Sequence, residues 1–287
     1  MSGRAAAMLA VLGAALALSA CGSAGGGGAA PATTGRATAA QPAAGPAHGI
    51  RVRHVHGPHD AAVPILMYHV IHRAPPGAPY PELWVAPEVF VGQMQALARA
   101  GYHGVTLQQV WDYWHKAVAL PPKPVVVSFD DGYLSAYQRA RPALARLGWP
   151  GVLNLEVKNV GLAGGLSRRQ VRALIAAHWE IDAHTITHPD LTTVDAARLH
   201  TEVAGSRERL RALFGVPVRF FCYPAGRHDA TVEAAVRAAG YAAATTVQPG
   251  LASPKQDPYA LPRIRVLPET TPAALLAEIR ALRGSAG

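Results

Sequence analysis

The sequence predicts an α/β protein in which alternating strands and helices close into a barrel. Short apolar runs rich in β-branched residues alternate with longer stretches that carry apolar side chains at helical spacing. This order is typical of parallel βα units. The chain holds roughly seven such units, and its 287 residues are enough for one large barrel. Seven units favour a barrel over an open sheet.

Strands are expected where the apolar runs are short and uninterrupted. Residues 64–69 begin the series, and residues 125–129 (VVVSF) form the unbroken run expected of a strand covered on both faces. Further strands are predicted at residues 152–157, 180–184, 219–223, 242–247 and 264–266. In a barrel, reactive residues are expected at the carboxyl ends of such strands.

Helices are expected between these strands. Residues 87–100 carry apolar side chains at helical spacing and end before Gly101, and residues 133–147 end at Gly148. The remaining helices are predicted at residues 167–177, 195–214, 230–239 and 272–282. Trp111, Tyr113, Trp114 and His115 also follow helical spacing, which is more typical of core packing than of stacking on sugars.

Composition excludes several classes of protein. Lys and Arg number 27 against 18 Asp and Glu, a net charge of +9. These charges are scattered along the sequence, whereas a nucleic-acid binder clusters them in a stripe or tail. The two cysteines, Cys21 and Cys222, are too few for a disulfide framework or a thiolate zinc site. A coiled coil, a zinc finger and a polytopic membrane protein are all disfavoured.

The first residues have the features of a bacterial lipoprotein signal peptide, predicted at residues 1–20. Arg4 precedes an apolar run at residues 5–20, which is shorter than a comfortable membrane span. The run ends in LSACG, which resembles the lipoprotein cleavage box, so Cys21 is expected to be acylated and to anchor the protein outside the cytoplasmic membrane. The alternative is an ordinary secretory signal cut after Ala20.

Residues 21–62 are predicted to form a flexible tether, and residues 63–287 the folded domain. Glycine, alanine and proline dominate the tether, with no bulky apolar residue before Ile50. His54, His56 and His59 lie near its end. A short linker with scattered histidines is more often solvated than bound to metal.

Two clusters of reactive residues follow predicted strands. Asp130 and Asp131 come directly after residues 125–129, and His184 and His188 come directly after residues 180–184. Two histidines four residues apart can turn both imidazoles toward one point. With one aspartate they form a two-histidine, one-carboxylate metal site that leaves positions open for water and substrate.

These residues carry a specific resemblance. Residues 127–132 (VSFDDG) and 184–189 (HTITHP) match the first two motifs of the polysaccharide deacetylases of carbohydrate esterase family four, which share the nodulation-type chitooligosaccharide deacetylase domain. The similarity covers residues 63–282 and implies a distorted (β/α)7 barrel. It also implies that Asp131, His184 and His188 bind a divalent metal, most often Zn²⁺. Asp130 would then be the general base that takes a proton as metal-activated water attacks the acetamide.

The sequence departs from the family pattern at two motifs. Cys222, more typical of a small buried residue than of a nucleophile, stands where the third motif carries an arginine, and residues 261–264 (LPRI) lack the histidine acid of the fifth motif. Both changes resemble the branch of extracellular poly-β-1,6-N-acetylglucosamine deacetylases. We therefore expect Arg263 to partner Asp130, with an ordinary surface or interface arginine as the alternative. We expect His69 to lie over the metal as acid or substrate ligand, with a core histidine as the alternative.

The resemblance implies the remaining site residues and the function. Tyr223, Ala225 and Gly226 follow a predicted strand and are expected to contact the substrate or donate a backbone N–H to the oxyanion. The expected activity is metal-dependent removal of N-acetyl groups from an extracytoplasmic polysaccharide, most of all poly-N-acetylglucosamine. Peptidoglycan or chitin oligomers are alternative substrates. A carbohydrate-binding lipoprotein without turnover is the non-enzymatic alternative, disfavoured by the intact Asp130, Asp131, His184 and His188.

Overall fold

Seven parallel strands form a closed ring in the computed structural model, which describes residues 59–285. The ring runs in the order β1, β8, β7, β6, β5, β4, β3 and closes through pairing of β1 with β3. A further strand, β2, pairs with the first residues of β3. The strands are β1 (Ile65–Tyr68), β2 (His103–Val105), β3 (Pro124–Asp130), β4 (Val152–Leu155), β5 (Glu180–Ala183), β6 (Phe220–Cys222), β7 (Ala243–Pro249) and β8 (Leu261–Arg265). The predicted (β/α)7 barrel is confirmed.

Helices follow most of the strands and cover the outside of the ring. They are α1 (Pro87–Arg99), α2 (Leu107–Lys116), α3 (Arg141–Ala145), α4 (Arg168–Ala176), α5 (Ala196–Phe214), α6 (Ala230–Ala238) and α7 (Pro272–Ser285). Short polar side chains start them: Thr106 and Ser167 form capping boxes at α2 and α4, and Asp195 caps α5. β7 and β8 are joined by a loop with one short 3₁₀ turn and no α-helix.

Side chains alternate between two environments along each strand. On β3, Val125, Val127 and Phe129 pack outward against the helices, whereas Val126 points into the ring. The inner layer where the strands begin is apolar, and it is covered by Val110 and Trp114 of α2. The helix α2 thus closes the barrel at the end where the strands begin, and the opposite end stays open for polar residues.

The predicted elements differ from the structure in several places, and the strand predicted at residues 264–266 begins three residues earlier, at Leu261. β2 and α2 were not predicted as βα elements: β2 has only three residues, and its Gly104 lies so close to Trp149 that a Cβ would be 2.5 Å from the indole Cγ. The single helix predicted at residues 133–147 is divided into a π-helical segment, Ala136–Ala140, and α3, because Pro142 lacks the N–H that would continue the α-helical ladder. The strand predicted at residues 152–157 ends at Leu155.

The described part of the chain begins against α2. The indole N–H of Trp114 donates to the carbonyl of Ala61 at 3.0 Å, and His59 packs edge-on against Tyr113. Residues 59–62, assigned to the tether from sequence, therefore contact the barrel. The predicted signal peptide, Cys21, His54 and His56 lie outside the described residues. Among residues 59–285, no helix is both long and apolar enough to cross a membrane.

Candidate active site

A cleft of about 410 Å³ opens at the end of the barrel where the strands finish. The strand-to-helix connections bring the sequence-predicted residues to this cleft: Asp130, Asp131, His184 and His188 line it, as do His69, Arg263, Tyr223 and Ala225. Their convergence follows from the topology, because parallel strands end at one rim. Gly226 is not part of the lining, although it directly follows Ala225.

Asp131, His184 and His188 form a triad of candidate metal ligands. Oδ1 of Asp131 lies 3.3 Å from Nε2 of His184 and 3.7 Å from Nε2 of His188. His184 uses its other nitrogen, Nδ1, on the carbonyl of Cys222 at 2.7 Å, and this contact directs Nε2 into the cleft. Oδ1 of Asp131 is buried and has no hydrogen-bond partner among the described residues. A buried, unpartnered carboxylate oxygen facing two imidazole nitrogens fits a divalent metal ion.

The backbone around the triad is held in left-handed conformations. Asp131, Thr185, His188 and Ala225 have φ angles of 69°, 65°, 55° and 50°, and together they make up four of the eight such non-glycine residues between 59 and 285. Thr185 is the least suited to this region because it is β-branched. Its hydroxyl accepts a hydrogen bond from the N–H of His188 at 2.9 Å. The strain places the ligand side chains inward.

Asp130 is held by a buried arginine. Arg263 donates from Nη1 to Oδ1 and from Nη2 to Oδ2 of Asp130, both at 2.8 Å, and its side chain is 0% exposed. Nδ2 of Asn154 donates to Oδ1 at 2.7 Å. Burial alone would raise the pKa of Asp130, but the charge and hydrogen bonds of Arg263 outweigh it and hold the pKa well below its usual range. The structure brings Arg263 into the contact expected from the sequence and buries it, unlike a surface arginine.

Cys222 lies beside this pair. Nη2 of Arg263 donates to Sγ of Cys222 at 3.2 Å, and Sγ is 3.7 Å from Oδ2 of Asp130. The small side chain of Cys222 leaves the space that the guanidinium of Arg263 fills. An arginine that reaches Asp130 from β8 thus stands in for the arginine that the family pattern places on β6.

His69 lies at the rim of the cleft, directly after β1. Its Nε2 is 3.8 Å from Oδ2 of Asp130. Burial lowers the pKa of His69, and the carboxylates of Asp130 and Asp131 oppose this only in part. The lowered pKa favours a neutral imidazole. A neutral imidazole is better suited to bind the substrate than to act as a general acid.

The segment after β6 offers a free backbone donor at the cleft. The N–H of Tyr223 donates to the carbonyl of Thr245, and that of Gly226 donates to the carbonyl of Tyr223. The Tyr223 hydroxyl is also engaged, with the carbonyl of Tyr259 at 2.9 Å. Ala225 is exposed at the cleft, and its N–H has no partner among the described residues. Of the three residues expected at the oxyanion, Ala225 has the donor available.

Four further residues shape the site and were not predicted from sequence. Glu202 of α5 accepts the N–H groups of Ile186 and Thr187 at 2.8 and 2.9 Å and so fixes the loop between the two histidines. Asn154 binds Asp130, and Tyr80, 70% exposed, lines the cleft from the loop after β1. Burial and the charge of Asp131 raise the pKa of Glu156 to about 7. Asn154 and Glu156 lie along and just after β4, a position that could have identified them.

The aromatic run lies far from this chemistry. Tyr113 and Trp114 are buried in the apolar layer at the opposite end of the barrel, and Trp111 stacks on His115. The structure therefore assigns these side chains to packing and does not place them where a sugar in the cleft could contact them.

Comparison with known proteins agrees with this fold and site. Residues 117–244 match the family described as polysaccharide deacetylase. YxkH of Bacillus subtilis (strain 168), which is named among the polysaccharide deacetylases, is 30% identical over 223 residues, 78% of each chain. The Streptococcus pyogenes deacetylase PplD, solved in complex with acetate, superimposes with a TM-score of 0.72 at 27% identity, over 76% of this chain and 98% of that one. The poly-β-1,6-N-acetyl-D-glucosamine N-deacetylase of Escherichia coli (strain K12) is 40% identical over 60 residues, 21% of this chain and 9% of that protein.

The barrel and its cleft define an enzyme of the carbohydrate esterase and N-deacetylase class. The chain belongs to the polysaccharide deacetylase family.

Proposed function

We propose that this enzyme hydrolyses the N-acetyl groups of an extracytoplasmic polysaccharide, poly-N-acetylglucosamine, and releases acetate. The observation that carries the proposal is the bidentate pair of Arg263 and Asp130 beside the triad. It supplies an oriented carboxylate although Cys222 occupies the position of the motif arginine. That substitution is shared with the poly-N-acetylglucosamine branch that the sequence resembles, and the short match to the Escherichia coli enzyme supports the same substrate.

A divalent metal ion, Zn²⁺ in our proposal, would be held by Oδ1 of Asp131 and the Nε2 atoms of His184 and His188. Such an ion supplies, when bound, polarisation of the acetamide carbonyl and a lower pKa for water. The donor set favours this assignment, because one carboxylate and two imidazoles leave positions open for a substrate.

The protein's own residues perform the remaining chemistry. Asp130 is kept ionised by Arg263, so it can accept the proton of the attacking water. The N–H of Ala225 donates to the carbonyl oxygen as negative charge develops there. A proton must then reach the leaving nitrogen, and Asp130, which has taken a proton from the water, is placed to deliver it, while the neutral imidazole of His69, 3.8 Å from the carboxylate, binds the substrate. The products are acetate and a free amine on the sugar.

We also propose that the enzyme works in the cell envelope, anchored through an acylated Cys21. The apolar run at residues 5–20 and the cysteine directly after the cleavage box support this location. Deacetylation there would give the polymer cationic amines, which hold it against anionic surfaces.

The test is acetate release from three polymers by the full chain. Poly-β-1,6-N-acetylglucosamine, peptidoglycan and chitin oligomers are each supplied to protein that has been stripped with chelator and then reloaded with Zn²⁺. We expect metal-dependent release from the first polymer, loss of release in Asp130→Asn, and full release in Asp60→Asn, a control at the opposite end of the barrel. Release only from peptidoglycan or chitin would identify that polymer as the substrate in place of poly-N-acetylglucosamine. Sugar binding without release from any polymer would favour the non-catalytic alternative.

A further inference from the structure

Basic side chains gather at the end of the barrel where the strands begin, opposite to the cleft. Six connections lead there from the last turn of a helix into the next strand: residues 97–102, 114–123, 143–151, 174–179, 211–219 and 235–242. They contain no Asp or Glu, and their seven Lys and Arg residues are Arg99, Lys116, Lys123, Arg146, Arg211, Arg219 and Arg237. We call this end the basic face.

Three acids near the basic face are already engaged, and one of them offsets the charge of Lys116. Asp112 pairs with Lys116 at 2.9 Å, Asp60 pairs with Lys255 at 3.2 Å, and Glu180 accepts the N–H of Gln108 at 3.0 Å. Arg99, Arg146 and Arg211 are exposed. Their positive charge is therefore available to a partner.

The cleft end has the opposite charge. Six connections lead from a strand into the next helix there: residues 69–86, 131–135, 156–167, 184–195, 223–229 and 266–271. They contain three Lys and Arg residues against seven acids, which are Glu82, Asp131, Glu156, Asp190, Asp195, Asp229 and Glu269. The connections of the barrel are thus polarised along its axis, and an anionic surface would attract the basic face more strongly than the cleft end.

Helix dipoles explain only part of this pattern. Cations are favoured in the last turn of a helix, which accounts for Arg99, Lys116, Arg211 and Arg237. Lys123 and Arg219 instead lie directly before strands. Between Lys116 and Lys123, Val118 is 50% exposed, one of three large hydrophobic residues so exposed in the described chain. An apolar tip between two lysines suits the headgroup layer of a bilayer, where apolar atoms sink and ammonium groups stay at the surface.

The chain also enters the barrel at this face. Ala61 binds Trp114 of α2, four residues before Val118, and Val63 pairs with Ala252, so the described chain begins at this face. From these observations we propose that the basic face docks on the anionic headgroups of a phospholipid bilayer and turns the cleft away from it. A soluble polyanion would use the charge but would leave the exposed Val118 and the position of the entering chain unexplained. The proposal does not depend on the reaction at the cleft.

The first test reports which end of the full chain touches the bilayer. An environment-sensitive fluorophore is attached at Val118→Cys on the basic face, or at Leu162→Cys, whose native side chain is 51% exposed in a connection at the cleft end. The parent chain, labelled in parallel, gives the background from Cys21, since Cys222 is buried. We expect emission at position 118 to rise on vesicles of phosphatidylcholine with phosphatidylglycerol and not on phosphatidylcholine alone, while position 162 stays unchanged. A rise at position 162, or at neither position, would overturn the proposal.

The second test removes charge without changing the anchor. Each basic residue near an anionic bilayer strengthens binding about fivefold, so Arg99→Gln with Arg146→Gln and Arg211→Gln should weaken binding to the anionic vesicles by about tenfold or more. The matched control removes three exposed arginines nearer the cleft end, Arg139→Gln with Arg168→Gln and Arg169→Gln, and should bind within about twofold of the parent. Binding to neutral vesicles measures any contribution of residues 1–58.

The two sets of arginines must differ for the proposal to stand. Equal losses in both would indicate a response to net charge alone, and no loss in either would exclude the basic face. Soluble polyphosphate provides a further outcome. If it binds tightly and prevents vesicle binding, and position 118 gives no signal, the basic face binds a polyanionic polymer and the proposal of bilayer docking is wrong. Circular dichroism of each variant ensures that folded proteins are compared.

Discussion

Arg263 and Asp130 come from strands far apart in sequence, and each compensates the charge of the other in the protein interior. The pair is buried, and every oxygen of the carboxylate accepts from the guanidinium. A buried charge left alone costs far more than a surface charge, because neither water nor another ion compensates it. Residue by residue, the site therefore depends on pairs of side chains.

This dependence can be measured with a double-mutant cycle. Arg263→Met should lower the free energy of unfolding by about 3–5 kcal/mol and abolish acetate release, since it leaves Asp130 charged and unpaired. Asp130→Asn combined with Arg263→Met removes both charges and should regain much of that stability while remaining inactive. Urea unfolding and acetate release are the two measurements. A double variant no more stable than Arg263→Met would show that the pair is not what stabilises this region.

Sequence alone identified the residues that do the chemistry more readily than those that hold them. Asp130, Asp131, His184 and His188 stand in short motifs directly after strands, so their spacing is visible. Glu202 has no such signal. It lies in the middle of a long helix, and only the folded loop reveals that its carboxylate accepts two backbone N–H groups.

At the scale of elements, α5 positions the loop that carries both histidines. Glu202 is buried and fixes residues 186 and 187, which separate His184 from His188. The loop itself is bent by the left-handed Thr185 and His188, so it needs this external support.

Substituting Glu202 should therefore lower both stability and metal affinity, although Glu202 is not itself a candidate metal ligand. We expect Glu202→Gln to lower the free energy of unfolding by about 1–3 kcal/mol, because the charge that strengthens these hydrogen bonds is lost. Zinc affinity should fall by about tenfold. Glu208→Gln, on an exposed turn of the same helix, is the control and should leave both quantities unchanged. Calorimetric titration with Zn²⁺ would decide, and an unchanged affinity in Glu202→Gln would exclude this positioning role.

The helix α2 shows why the fold was predicted only in part. Its aromatic residues have helical spacing, but the three-residue β2 before it gives no strand signal. Strand periodicity needs more residues than that to be recognised. The function of α2, to close the barrel, depends on an apolar cluster that also contains residues of seven strands, and no local pattern encodes this cluster.

Two aromatic substitutions should separate packing from substrate binding. Trp114→Ala should lower the free energy of unfolding by about 3–5 kcal/mol and leave the KM for the polymer unchanged. Tyr80→Ala should change stability by no more than about 0.5 kcal/mol, since Tyr80 is exposed at the cleft. Its loss should raise the KM about two- to tenfold through lost stacking on a sugar. A raised KM in a Trp114→Ala variant that keeps its full stability would indicate that the aromatic run binds the substrate.

For the molecule as a whole, metal binding should be linked to folding. A site made of residues from β3 and β5 exists only when the barrel is closed, so ligand binding stabilises the folded state. Zn²⁺ at a hundred times its dissociation constant should add about 2.7 kcal/mol and raise the melting temperature by about 5–10 °C.

The matched variants for this shift are two histidines. His188→Ala should lose most of the zinc-induced increase, each protein being compared with its own metal-free form. His200→Ala, exposed on α5, should keep it. Thermal scans with and without Zn²⁺ provide the measurement, and an equal shift in all three proteins would place the ion elsewhere.

The charge of the whole molecule was the least predictable property. Lysines and arginines are scattered along the sequence, yet the strict alternation of βα units sends every helix-to-strand connection to one end. Seven basic residues from five separate connections thereby meet on one face. Such a surface becomes visible only once the direction of each strand is known.

The left-handed residues around the cleft make activity and stability compete. Asp131, Thr185, His188 and Ala225 each hold a conformation that costs about 1–3 kcal/mol, and the rest of the barrel must compensate for the sum. Selection for catalysis maintains these angles against the general tendency of mutations to relieve them. A lineage released from that selection would be expected to acquire glycine at such positions and gain robustness as it loses turnover. In engineering the enzyme, stabilising changes found near the cleft should be screened for activity first, and extra stability is better sought in the outer helices.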